Sequence, residues 1–77
     1  MLYDTRFDWD DSNEWKIEER YDIEDVQEVF YDRFRQRGPS YNMGSEQRRA
    51  TFGSPDEYRV ISVVYTMRGD KIRPISA

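Results

Sequence analysis

The stretch that most constrains this chain is its C-terminal block, Tyr58–Ala77, YRVISVVYTMRGDKIRPISA. Tyr58–Met67 carries Val60, Ile61, Val63, Val64 and Tyr65, so both faces of an extended segment are apolar. That density of β-branched residues predicts a central strand. Arg68-Gly69-Asp70 follows as a hairpin turn. Lys71–Ser76 returns as the last strand, and Pro74, which has no N–H for a ladder, assigns it to an edge or a strand end. A strand–turn–strand unit of this kind needs upstream elements to cover its apolar face.

Those elements are legible in order. Phe7 and Trp9 alternate with Asp8 and Asp10, which predicts a short strand or extended arm over Met1–Trp9. The cluster Asp10-Asp11-Ser12-Asn13 offers helix caps. Glu14–Tyr21 reads as a short helix that needs tertiary support. Asp22–Phe34 is the strongest helix, with Ile23, Val26, Val29, Phe30 and Phe34 on one stripe. Its acids Glu24 and Asp25 start it, Arg33, Arg35 and Arg37 close it, and Gly38-Pro39 ends it. Pro39–Glu46 reads as a loop, Gln47–Phe52 as a strand with Ala50 and Phe52 alternating with Arg49 and Thr51, and Gly53-Ser54-Pro55-Asp56 as a turn. The expected fold is a single α+β domain over residues 1–77. It has an antiparallel sheet of three to four strands and two helices on one face, in the order β-α-α-β-β-β.

Composition narrows the chemistry. The 77 residues include no Cys and no His, which removes disulfides, thiolate ligands and the commonest general base. Catalysis would fall to carboxylates, Lys, Arg, Tyr or backbone groups. Twelve aromatics supply the bulk that a small core needs. The net charge of −4 hides a strong segregation. Residues 1–32 hold twelve Asp/Glu against three Lys/Arg, and residues 33–77 hold four against nine. The C-terminal part is therefore basic, and a whole-chain average says little about what it can bind. With no long apolar run and no leader pattern at the start, the expected location is cytoplasmic, without membrane contact.

Three groups of residues are candidates for function. The basic set is Arg48, Arg49, Arg59, Arg68, Lys71 and Arg73. On strands, Lys71 and Arg73 share a face, while Arg48 and Arg49 point to opposite faces, so only one of that pair can join them. Paired cations can hold a phosphate and stabilise developing charge, although charged strand residues usually just face water. The acidic set, Asp4, Asp8, Asp10, Asp11, Glu14, Glu18 and Glu19, lacks the spacing of a calcium loop and is better explained by capping and solubility. No metal site and no cofactor are expected. The aromatics Tyr3, Phe7, Trp9 and Trp15 fit a core better than a stacking surface.

Four segments resemble the BrnT-type toxins. They are FDWD at Phe7–Asp10, DVQEVFYD at Asp25–Asp32, Gln47-Arg48-Arg49 with Gly53 downstream, and VVYTMRGDKIRPISA at Val63–Ala77. The resemblance covers most of the chain, and the R-x-I-S-A ending carries most of it. It implies a small RelE-like fold and a metal-independent ribonuclease of a type II toxin–antitoxin pair, silenced by a cognate antitoxin. It further implies RNA as substrate and the RNA 2′-hydroxyl as nucleophile. By position, Arg20 would contact substrate, Arg73 with Arg48 or Arg49 would contact the scissile phosphate, and Glu46 would be the base; Lys71, on the strand face of Arg73, would contact substrate beside them. Two departures stand out. Tyr21-Asp22 occupies the place of a His-Gly, and Ala77 falls where relatives continue into another helix. The alternative is therefore a catalytically inactive fold of this type that binds a protein partner through Asp8, Asp10 and Asp11. A homo-oligomer is compatible with either reading.

Overall fold

A computed structural model describes residues 4–77; the expectations for Leu2 and Tyr3 lie outside the described residues. Two helices, α1 (Asp11–Glu18) and α2 (Ile23–Val29), precede four strands, β1 (Gln36–Met43), β2 (Glu46–Gly53), β3 (Ile61–Arg68) and β4 (Lys71–Ser76). The strands form one antiparallel meander in the order β1-β2-β3-β4. The α+β class with two helices and an antiparallel sheet is as the sequence implies.

The N-terminal arm forms less than a strand. Phe7 makes a single parallel bridge to Ile72 on the outer edge of β4. Asp8 N–H donates to the Ile72 carbonyl and Ile72 N–H to the Arg6 carbonyl, each at 2.8 Å. The free backbone groups of an edge strand are thereby partly answered, and Pro74 sits on that edge strand as expected.

Helix α1 starts earlier than Glu14 because Asp10 caps it. The Asp10 carboxylate accepts from Ser12 N–H at 2.9 Å, and the Asn13 amide oxygen accepts from Asp10 N–H at 2.8 Å, which closes a capping box. Asn13 is buried and also donates to the carbonyls of Asp8 and Pro74, so the cap is bonded to β4. An eight-residue helix would not persist alone, and this attachment is what supports it.

Helix α2 is shorter than the sequence suggests. It ends at Val29, and Phe34 lies exposed beyond it. Asp32 accounts for the early stop: its carboxylate accepts from the N–H groups of Phe34 and Ser54, both at 2.9 Å, and so favours a turn over further helix. Arg35 and Arg37 therefore do not close a helix. Gly38-Pro39 likewise ends no helix; it lies inside β1, at an irregularity in the pairing between Arg37 and Ser40.

Residues 39–46, expected as a loop, are the end of β1, a two-residue turn and the first residue of β2. Gly44 at φ 63° opens that turn, as Gly69 at φ 62° opens the β3–β4 turn. Neither Ser45 nor Asp70 has positive φ, so both hairpins follow the type II′ pattern that suits the strand twist.

The core consists of Ile17, Ile23, Val26, Val29, Ile61 and Val63, with Trp9, Tyr21, Phe30 and Ala77 packed around it. An edge-to-face chain, Phe7–Phe30–Tyr65, with centroids 5.4 and 5.0 Å apart, extends it toward β4. The inward face of β2 carries Thr51 and Gly53. Thr51 is fully buried and Gly53 is buried, while Phe52 is exposed. Thr51 pairs with Val63 and Gly53 with Ile61, which puts them on the helix-covered face. The Thr51 hydroxyl is satisfied there, donating to the Gln36 carbonyl and accepting from Arg35. Gly53 permits close approach: a Cβ there would lie 2.9 Å from both Val29 Cγ1 and the Val29 carbonyl oxygen. Gly53→Ala should force α2 off the sheet and cost about 1–3 kcal/mol in urea unfolding, because a backbone atom cannot yield as a side chain does. An unchanged midpoint would show that α2 is free to shift.

Candidate nucleic-acid interface

Strand register sorts the basic residues by face. Tyr41 pairs with Arg48, Arg48 with Thr66, and Thr66 with Arg73, so these four form one row across the sheet. Arg68 pairs with Lys71 in the next row on the same face, and Glu46 joins them two residues from Arg48. This face is opposite the one covered by α2. The start of α1 overhangs it at the β4 edge. A cavity of about 200 Å³ lies there, lined by Ser12, Lys16, Glu46, Arg48, Arg68 and Arg73 among others.

Glu46 is the hub of the exposed part of this cluster. Its carboxylate accepts from Arg48 Nε at 3.1 Å and lies 3.8 Å from Arg68 Nη2. That carboxylate holds the Arg48 guanidinium above its ordinary pKa. Lys16 and Lys71 form no ion pair among the described residues. The cavity therefore combines one carboxylate with Lys16, Arg48, Arg68 and Arg73. Cations gathered in this way can hold a phosphate.

Arg73 is placed differently from its neighbours. Its side chain is 9% exposed, and Nη1 lies 3.3 Å from Asp8 Oδ2 and 3.0 Å from Asp10 Oδ2. Nη2 donates to Asp10 Oδ1 at 3.1 Å and to Ser12 Oγ at 2.8 Å. The Asp10 contact raises the pKa of Arg73 above its ordinary value. In return, Arg73, then the Ser12 hydroxyl, holds Asp10 far below the usual carboxylate range. Two of the three acids considered for partner binding, Asp8 and Asp10, are thus engaged within the chain. Asp11 is exposed at the first turn of α1.

The depressed pKa of Asp10 sets a pH dependence. A carboxylate whose folded pKa lies below its unfolded value stabilises fully above that unfolded value, near 3.8, and the effect is lost as pH falls toward the folded pKa. Asp10→Asn should therefore melt lower than wild type at about pH 7, and the gap should close progressively below about pH 4. Melting curves that stay parallel through the acid range would contradict the pairing.

The remaining sequence candidates lie elsewhere. Arg49 projects to the opposite face, pairs in register with Tyr65, and donates to Gln47 Oε1 at 3.2 Å. There it lines a groove of about 510 Å³ with Arg35, Arg37, Phe30, Tyr65 and Met67. Arg20 is exposed in the turn after α1 and forms no ion pair among the described residues. Lys16 was missed in the sequence because α1 was begun at Glu14. With the cap at Asp10, Ser12 and Lys16 share a face at i and i+4, which could have revealed it.

Among the described residues, no three His, Cys, Asp or Glu side chains come together as metal ligands, and no helix is long and apolar enough to cross a membrane. No curated protein and no solved structure matches the chain. A family model described as the ribonuclease toxin BrnT of type II toxin–antitoxin systems matches residues 9–77. That match spans nearly the whole described chain, α1 to the end of β4, and the chain belongs to the BrnT ribonuclease toxin family.

Proposed function

We propose that the chain is a metal-independent endoribonuclease acting on single-stranded RNA at the Glu46–Arg48 face. We further propose that a cognate antitoxin silences it in the cytoplasm. The observation that carries this reading, beyond family membership, is Glu46 held between Arg48 and Arg68 in a cavity that also takes Lys16. Glu46 removes the proton of the RNA 2′-hydroxyl. The 2′-oxygen attacks phosphorus, the bond from phosphorus to the 5′-oxygen breaks, and a 2′,3′-cyclic phosphate and a 5′-hydroxyl result. Arg48 and Arg68 hold the non-bridging oxygens as charge grows on them. Lys16, at the overhanging helix, supplies the proton to the leaving 5′-oxygen. Lys71 extends the cationic track along the strand edge, and Arg73, paired with Asp8 and Asp10, holds the α1 overhang in place.

This set needs no metal, since nucleophile, base, acid and cationic stabilisers all come from RNA and protein. The test is cleavage of a single-stranded RNA in EDTA by folded protein. Cyclic-phosphate ends, and no cleavage where a 2′-deoxy nucleotide stands at the cut site, are the expected result. Inactivity of well-folded protein, or activity abolished by EDTA, would overturn it. The alternative, a binding protein using Asp8, Asp10 and Asp11, is less favoured because Arg73 already occupies the first two.

A further inference from the structure

Two surfaces of opposite charge form no ion pairs among the described residues. On α1, Asp11, Glu14, Trp15 and Glu18 fall at i, i+3, i+4 and i+7, the spacing of a buried helix stripe. Here the stripe faces outward, with Trp15 57% exposed at its centre. None of its three acids forms an ion pair among the described residues, and neither do Arg35, Arg37 and Arg49, which converge on the groove of about 510 Å³ on the helix side of the sheet. By contrast, Arg48, Arg59 and Arg73 are all paired with carboxylates.

We propose that the α1 stripe of one copy docks into the Arg35–Arg37–Arg49 groove of a second copy. The acids answer the three guanidiniums. Trp15 enters over Met67 and Ile72, neighbours in register that line the groove, with guanidinium groups beside its ring. Within one chain α1 packs against β4 and α2, and among the described residues its acids make no pair with these arginines.

A protein helix fits this groove better than a nucleic acid does. Single-stranded RNA is held by stacking bases on free aromatic faces. The Phe30 ring lies under the Arg35 guanidinium at 5.2 Å and meets Tyr65 edge to face, and Tyr65 is buried, so neither ring has a free face to offer. Each copy carries both stripe and groove, so copies join either reciprocally about a twofold or head to tail. A contact of this small size gives weak, concentration-dependent association. The groove lies on the side of the sheet opposite the Glu46–Arg48 face.

Sedimentation equilibrium of the purified chain between about 10 and about 500 µM tests this. Wild type should associate reversibly, and the association constant should fall tenfold or more at high salt. Glu14→Lys/Glu18→Lys and Arg37→Glu/Arg49→Glu should each be monomeric, and an equimolar mixture of the two should form a one-to-one complex, because the basic stripe then meets an acidic groove. Trp15→Ala should weaken wild-type association at least tenfold, and it carries the test if a charge variant loses its circular dichroism. Wild type that stays monomeric throughout, association unaffected by these substitutions, or folded charge variants that do not pair would each overturn the proposal.

Discussion

Arg73→Ala should lower the melting temperature by roughly 10–20 °C, the largest stability loss expected from any single polar side chain here. Deleting one partner of a buried ion pair costs about 3–5 kcal/mol. Asp8 and Asp10 are 33% and 54% exposed, so water screens part of that and about 2–3 kcal/mol is the realistic figure. In a domain of this size each kcal/mol moves the midpoint by about 4–8 °C. The loss should concentrate at the junction of α1 and β4, since Arg73 reaches Asp8, Asp10 and Ser12 at the helix start. Arg73→Lys should recover only part of it, because an ammonium cannot span two carboxylates and a hydroxyl as a planar fork does. A double-mutant cycle with Asp10→Asn should show strong coupling. A melting temperature within about 2 °C of wild type would remove Arg73 from the framework and return it to the reaction. For the same reason, loss of toxicity in Arg73→Ala alone cannot assign this residue to chemistry.

The legibility of the sequence follows from which interactions are local. Lys71–Ser76 could be bounded to the residue, because a β-branched run, a Gly turn and a Pro all lie within one short stretch. Strand β1 could not. Its residues, QRGPSYNM, are polar and almost wholly exposed, so it has no apolar alternation, and its existence rests on pairing with β2 across the Gly44 turn. The end of α2 was hidden because its stop signal is Asp32 binding Ser54, a contact 22 residues away. The inward face of β2 has the same origin. Thr51 and Gly53 look like poor core residues, and only the approach of Val29 and the pairing with β3 show why they are inside.

The site was legible as a set but not as an arrangement. Parity showed that Arg48 and Arg49 must part, and the register then joined Arg48 to Thr66 and Arg73. Nothing local indicated that Asp8 and Asp10 would turn to Arg73, more than sixty residues along the chain. The charge segregation carries that information only in hindsight: an acidic N-terminal segment and a basic sheet have to meet somewhere.

Arg48→Ala and Arg49→Ala, chemically identical changes one residue apart, should differ by about a hundredfold or more in RNA cleavage. Under the proposed reaction Arg48 stabilises charge developing on the phosphate, and removing one such donor typically costs about 10²–10³ in rate. Arg49 stands on the opposite face and should leave cleavage within a few-fold of wild type. Stability does not confound the comparison. The Arg48–Glu46 pair is 27% and 31% exposed, so water screens it and it adds little to stability. Glu46→Gln completes the test, because it keeps shape and hydrogen-bonding reach while removing the base. The rate should fall about 10²–10⁴-fold, with RNA affinity kept or raised as one negative charge leaves the phosphate site. Equal loss in both arginine variants would mean that RNA engages both faces of the sheet. Loss in Arg49→Ala alone would move the reaction to the helix-side groove and leave Glu46 as a structural partner of Arg48.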